Sequence, residues 1–207
     1  MKEQGIQSRT VCVIGLGYIG LPTSAVLASA GHRVMGVDVN PATVDVINAG
    51  SINIVEPGLE EQVSQAVQKG RLTASLTPSE AEVFMICVPT PFHHERGMRS
   101  PNMDYVASAV KAIAPFVKPG NCVILESTCP VGSTELVRDI LKETGVDVSS
   151  IHFAYCPERV LPGQILRELV ENDRIVGGLT PEATEEVASF YGTFVTKGAV
   201  LKTDART

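Results

Sequence analysis

Three glycines and a distant acid carry the first chemistry legible in this chain. Gly15, Gly17 and Gly20 stand in GLGYIG, between a β-branched run from Thr10 to Ile14 and a small-residue helix candidate reaching Gly31. Each glycine has a separate task. Gly15 admits a tight turn where a β-carbon would clash. Gly17 removes the side chain that would keep a pyrophosphate from the N–H groups of Tyr18 and Ile19, at the positive end of the helix. Gly20 lets that helix close on the strand. A second strand candidate, HRVMGVDV, carries Asp38 eighteen residues beyond Gly20. A carboxylate there can accept both hydroxyls of an adenosine ribose and repels a ribose phosphate. Strand, glycine turn, helix, strand and acid in this order predict a dinucleotide site that favours NAD over NADP.

Three further motifs sit at predicted strand ends. In FMICVPTPF two prolines flank Thr90 and fix its backbone; in ILESTCPVGST, Thr128 ends a strand and Gly132 precedes a helix opened by Ser133. Both hydroxyls lie where the nicotinamide half of a dinucleotide would pass, although turn and capping chemistry accounts for such residues equally well. In AYCPERVLPGQ, Glu158 and Arg159 form either a surface ion pair or a ligand-facing pair at the mouth of the sheet. The five cysteines, Cys12, Cys87, Cys122, Cys129 and Cys156, include no C-x-x-C pair and read as small buried hydrophobes or thiols beside turns. His93 and His94, in FHHERGMRSPNM (residues 92 to 103), read as part of a solvated, mobile loop, and no metal is expected.

These residues need a frame, and the periodicity supplies one. Strand candidates fall at Thr10–Ile14, Arg33–Val37, Leu72–Ala74, Val83–Val88, Cys122–Glu126 and His152–Tyr155, with a later pair near Arg174–Val176 and Val200–Lys202. Helical stretches intervene at Pro41–Ala49, Leu59–Gln68, Tyr105–Phe116, Ser133–Glu143 and Pro181–Tyr191. The alternation predicts an α/β fold, a doubly wound, mostly parallel Rossmann-type sheet with helices on both faces, and ligands at the carboxyl ends of its strands. With 207 residues, 44% hydrophobic and 19% charged, the chain can bury a full core. Its formal net charge of −6 argues against general nucleic-acid binding. No apolar run nears the ~20 residues of a membrane span, and the start lacks a signal-peptide core, so a cytoplasmic location is expected.

Taken in order, GLGYIGLP, VEPGL, VPTPF, ESTCPVGST, AYCPERVLPGQ and NDRIVGG resemble the UDP-glucose/UDP-mannose dehydrogenase family, with PERVLPG and VPTPF closest to its UDP-N-acetyl-D-mannosamine branch. The resemblance implies oxidation of the terminal hydroxymethyl of a UDP-sugar in two hydride transfers, with two NAD per turnover and a cysteine thiolate capturing the intermediate aldehyde. UDP-N-acetylglucosamine and UDP-glucose are the alternative substrates. By matching motif, Gly15, Gly17, Tyr18, Ile19, Gly20, Asp38, Thr90 and Thr128 would hold NAD. Arg159 and Val160 would contact the UDP-sugar, and Glu158 would orient water or handle a proton. Thr43 stands where relatives often place a cation beside the adenosine.

The family's lysine helix and glycine-rich cysteine segment would fall beyond Thr207. The expected organisation is therefore a tail over residues 1–9, an NAD-binding domain over 10–202, and the start of an inter-domain helix at 203–207. A homo-oligomer assembled through that central helix is implied, as is an inactive fragment. A non-catalytic NAD-binding module is the other class.

Overall fold

The structure, a computed structural model, describes residues 7–95 and 98–206. The chain opens with β1 (Thr10–Ile14), α1 (Gly20–Ser29), β2 (Arg33–Val37), α2 (Pro41–Asn48), α3 (Leu59–Gln68), β3 (Leu72–Ser75) and β4 (Val83–Ile86). A two-stranded hairpin of β5 (Phe92–Glu95) and β6 (Met98–Pro101) follows, then α4 (Asp104–Ile113) running into a short 3₁₀ turn, β7 (Cys122–Leu125) and α5 (Ser133–Glu143). The last part holds β8 (His152–Tyr155), α6 (Ile165–Glu171), β9 (Arg174–Gly178), α7 (Pro181–Tyr191) and β10 (Val200–Asp204).

Eight strands form one sheet in the order β10-β9-β8-β7-β4-β1-β2-β3. Chain order reverses between β1 and β4, so the loops after these two strands diverge to opposite faces and leave a crevice between them. All neighbours run parallel except β8 and β9, which pair antiparallel. The fold is thus the doubly wound, mostly parallel sheet that the periodicity predicts.

Both faces are covered, because every central strand sends alternate residues to opposite sides. Val11 and Val13 join one buried cluster with Leu21 and Leu27 of α1, Val63 of α3, Leu169 of α6 and Val187 of α7. Cys12 and Ile14 join the other, with Val106, Val110 and Ile113 of α4 and Val137 and Leu141 of α5. Helix α1 is buried over all but its last residue, which its small residues Gly20, Thr23, Ser24, Ala25 and Ala28 permit. Each fully buried Leu or Val contributes about 1.5–3 kcal/mol.

Three local readings are corrected. Residues 92–101 do not form an irregular loop: the backbone pairs Phe92 with Pro101 through Glu95 with Met98 in an antiparallel hairpin. The side chains of His93 and His94 lie outside the described part of the structure. Helix α6 is absent from the sequence-based reading because its seven residues are too few for a clear helical period. Its N-terminus is held instead by a distant acid, since the buried Glu56 carboxylate accepts the N–H groups of Gly163 and Ile165 at 2.7 and 2.8 Å. Finally, β10 runs on to Asp204, so residues 203 and 204 belong to the sheet.

The segment before β1 is anchored by a buried histidine. Nδ1 of His32 accepts the Arg9 N–H at 3.1 Å, which places the ring proton on Nε2, 2.8 Å from Thr193 Oγ1. Thr193 in turn donates to the Phe190 carbonyl at 2.6 Å. Burial first and the Arg9 charge second hold the His32 pKa below its ordinary 6.5. A depressed histidine stabilises the fold above its unfolded pKa and loses that contribution as pH falls through 6.5 toward the folded value. The stability advantage of the parent over His32→Gln should therefore be greatest above pH 7 and shrink below 6.5, by at most ~1.4 kcal/mol per pH unit. Urea titrations at several pH values would show this; a constant difference would remove the ring from the pH response.

Candidate functional site

The glycine turn is set by one close approach. Gly15 has φ +94°, and a β-carbon on it would lie 2.7 Å from the Cys87 carbonyl oxygen. A β-carbon on Gly20 would lie 1.8 Å from the Gly15 carbonyl oxygen, so the two glycines permit each other's position. Gly20 therefore packs on the turn itself, and only through it on the strand. Gly17 differs, because nothing lies within 4 Å of the place its β-carbon would take. Its missing side chain leaves open space above the start of α1.

That space suits a phosphate. Helix α1 has no side-chain cap and no acid in its first turn. Among the described residues, no acceptor takes the N–H of Gly17, Tyr18 or Ile19, while the carbonyls of Gly17 and Ile19 already accept Leu21 and Thr23 at 3.1 and 3.0 Å. Unsatisfied donors at the positive end of a buried helix form an anion seat.

Asp38 follows β2, beside the glycine turn. Its carboxylate accepts the Leu16 N–H at 3.0 Å and the Asn40 N–H at 2.9 Å, one on each oxygen. Each oxygen keeps a lone pair for a ribose hydroxyl, so the acid both steadies the glycine turn and remains able to bind. Leu16 is seated by a glycine that the sequence reading passed over: a β-carbon on Gly36 would come within 2.5 Å of Leu16 Cδ2. Thr43 is buried and accepts from Asn53 Nδ2 at 2.9 Å, so that position adds no cation beside the ribose.

At the crevice, a cleft of about 440 Å³ is lined by Gly17, Tyr18, Ile19, Cys87, Val88, Pro89, Thr90, Glu126, Ser127, Thr128 and Glu158. The loops after β1, β4, β7 and β8 all reach it, as the switch point requires. Thr90 Oγ1 donates to the Thr128 carbonyl at 2.7 Å, and Ser127 Oγ donates to the Val88 carbonyl at 2.7 Å. These bonds stitch the two strand-end loops into one wall. The threonines thus serve as turn chemistry and as cleft lining together.

Glu158 lines the cleft, but its charged partner is not Arg159. It forms an ion pair with Arg174, the two side chains being 3% and 2% exposed, while Arg159 gives it only a backbone N–H at 2.7 Å. Burial first and the nearby Glu126 second push the Glu158 carboxyl up to about 7, against the pull of Arg174. The Arg159 guanidinium instead reaches the Asp173 carbonyl at 3.2 Å, and Val160 packs at the margin of the core. Neither borders the cleft. Glu126, Arg174, Tyr191 and Cys87 complete a polar cluster that the sequence reading missed. Glu126 stood in plain view in ESTCPVGST, yet nothing local showed that Arg174 and Tyr191 converge on it.

All five cysteines are free. Burial pushes Cys12 and Cys129 up to about 11 and Cys122 and Cys156 to about 12, and Cys87 also rises well above the ordinary thiol value. Among the described residues no group of three or more His, Cys, Asp or Glu is placed to hold a metal ion, and no helix is long and apolar enough to cross a membrane.

A switch-point cleft walled by an uncapped glycine turn and polar strand ends is that of a Rossmann-type, dinucleotide-binding domain. The family model described as the NAD binding domain of UDP-glucose/GDP-mannose dehydrogenases matches residues 9–195. The chain belongs to the UDP-glucose/GDP-mannose dehydrogenase family, and its cofactor is NAD. It is 52% identical to a UDP-N-acetyl-D-mannosamine dehydrogenase of Campylobacter jejuni, over 97% of this chain and 51% of that protein. It is 50% identical to an NDP-N-acetyl-D-galactosaminuronic acid dehydrogenase of Ralstonia nicotianae, over 98% and 49%. The solved UDP-N-acetyl-mannosamine dehydrogenase of Staphylococcus aureus superposes with a TM-score of 0.89 at 44% identity, covering 95% of this chain and 48% of that one. The chain spans about half the length of the relatives it matches.

Two substitutions test the glycine turn and the acid beside it. Gly17→Val should crowd the space above the start of α1 and abolish measurable NAD binding in calorimetry while leaving the melting temperature near that of the parent, because its β-carbon meets nothing within 4 Å. Asp38→Ala should weaken NAD by about 1–3 kcal/mol through lost charge-assisted hydrogen bonds; unchanged affinity would take Asp38 out of the site.

Proposed function

We propose that these 207 residues are the cofactor half of an enzyme that oxidises the terminal hydroxymethyl of UDP-N-acetyl-D-mannosamine to the carboxylate, using two NAD per turnover. The observation that carries the reading is the union, in one cleft, of the anion seat at Tyr18 and Ile19, the strand-end wall of Thr90 and Thr128, and the carboxyl of Glu158. The Campylobacter and Staphylococcus relatives support the choice of sugar. The Ralstonia relative, at similar identity, supports an N-acetylgalactosamine-derived sugar as the second reading.

Bound NAD supplies the hydride acceptor. The chain's own groups bind and orient: the N–H groups of Gly17, Tyr18 and Ile19 face the pyrophosphate, Asp38 the adenosine ribose, and Thr90 and Thr128 the nicotinamide half. Glu158, whose raised carboxyl titrates near neutrality, can take the hydroxyl proton that leaves as the alcohol is oxidised. Arg159 and Val160 belong to the sugar-nucleotide side. The Arg159 guanidinium gives the Asp173 carbonyl one exposed hydrogen bond at 3.2 Å, which leaves its other N–H donors available to a uridine diphosphate.

The second oxidation needs a thiolate to capture the aldehyde. None of the five thiols here is suited to that task, since burial keeps each protonated at neutral pH. The nucleophile and its lysine partner are therefore assigned to polypeptide outside these residues. The 207-residue chain should bind NAD in calorimetry yet release no NADH from UDP-N-acetyl-D-mannosamine, whereas the full polypeptide should do so with its highest kcat/KM among UDP-sugars. Sustained NADH release by the short chain would overturn the division of labour. A preference for UDP-N-acetylglucosamine or UDP-glucose would overturn the choice of sugar, and a full polypeptide that binds NAD but turns over no sugar would leave a non-catalytic NAD module.

A further inference from the structure

The segment that leaves the carboxyl end of β8 carries Glu158 to the cleft, then Arg159 and Val160, and returns to the sheet by way of α6. Its two ends are held differently. Near the start, Glu158 is fixed by Arg174 and by the Arg159 N–H at 2.7 Å. Farther on, Leu161 is 66% exposed, and its N–H goes to Glu168 in an exposed hydrogen bond at 2.8 Å. Gly163 then turns with φ +87°, and Gln164 gives α6 no side-chain cap.

The missing cap comes from another part of the chain. Glu56, 5% exposed, lies in VEPGL between α2 and α3, and its two oxygens divide two donors between them. Oε2 accepts the Gly163 N–H at 2.7 Å and Oε1 the Ile165 N–H at 2.8 Å. The backbone beside it closes on the same helix: Gly58, with φ +77°, would place a β-carbon 3.7 Å from Leu166 Cδ1. In the same segment, Asn53 Nδ2 donates to Thr43 Oγ1 of α2 at 2.9 Å. Residues 53–58 thus form a strut from α2, the helix that follows Asp38, to the loop that carries Arg159.

The chemistry of this post calls for a carboxylate, since both donors need an acceptor and a glutamine would turn an NH₂ toward one of them. Helix α6 has other support. Ile165 and Leu169 are buried in the cluster that holds Leu21 and Leu27 of α1. Loss of the carboxylate therefore frees the loop before it frees the helix.

We propose that Glu56 is a positioning residue for the sugar-nucleotide side of the site: through the Gly163 and Ile165 N–H groups it fixes where residues 159–164 stand. The proposal rests on the reading of Arg159 and Val160 as contacts of a UDP-sugar.

In the full polypeptide, Glu56→Gln should raise the KM for UDP-N-acetyl-D-mannosamine about tenfold or more while kcat and the Kd of NAD stay within about threefold, the pattern of lost binding without lost chemistry. Glu158 keeps its own partners in this variant, and the glycine turn is untouched. A cap that merely stabilises the fold would lower the melting temperature and leave KM, measured well below the melt, where it was; that result overturns the proposal. If the variant does not fold, Glu56→Asp, which keeps the charge but draws the oxygens back by one methylene, should show the same split. Hydrogen exchange on the parent adds a test that needs no variant. UDP, common to every candidate sugar, should slow exchange across residues 159–166, and an unprotected segment would overturn the proposal. A parent that oxidises no UDP-sugar removes the proposed function and this role with it, whereas a parent that oxidises one with a KM indifferent to residue 56 overturns the positioning role alone.

Discussion

The Gly15 carbonyl lies where a β-carbon of Gly20 would stand, and the rest of the site depends on that contact. It draws the first turn of α1 down onto the end of β1, and Tyr18 and Ile19, whose N–H groups have no acceptor among the described residues, line the crevice there. The cost of four unsatisfied donors at a helix start is ordinarily relieved by a cap. Here no side chain caps α1, and the Asp38 carboxylate steadies the turn through Leu16.

The opposite wall of the cleft is organised by charge burial. Reversal of β9 brings a cation to the carboxyl end of β8, where the segments after β7 and β8 each contribute an acid. Such a cluster is poor evidence for stability, since removing ions from water costs several kcal/mol per charge. It is better evidence for function: a carboxyl raised toward neutrality beside a cofactor cleft is suited to proton transfer. The thiols nearby, all raised by burial, complete a setting that handles protons and offers no thiolate.

Much of this was legible in the sequence because the signals are local. The glycine turn, Asp38, and the bounds of β1, β2, α3, α5, β8 and α7 follow from glycine spacing, β-branched runs and capping residues a few positions apart. The hairpin at 92–101 did not follow, since its strands are short and polar and its pairing lies across the turn. Helix α6 did not follow either, because the acid that holds its N-terminus is Glu56, more than a hundred residues away.

By itself, then, the sequence determined the dinucleotide fingerprint, the α/β class and the family, since each is written in neighbouring residues whose spacing the chain geometry enforces. Tertiary structure alone decided who pairs with whom. Glu158 and Arg159 are adjacent in sequence and of opposite charge, yet adjacent side chains along an extended segment diverge. The reversed course of β9 starts Arg174 near the segment after β8, so Glu158 pairs with that distant residue instead, and burial, with Glu126 beside it, raises its proton affinity.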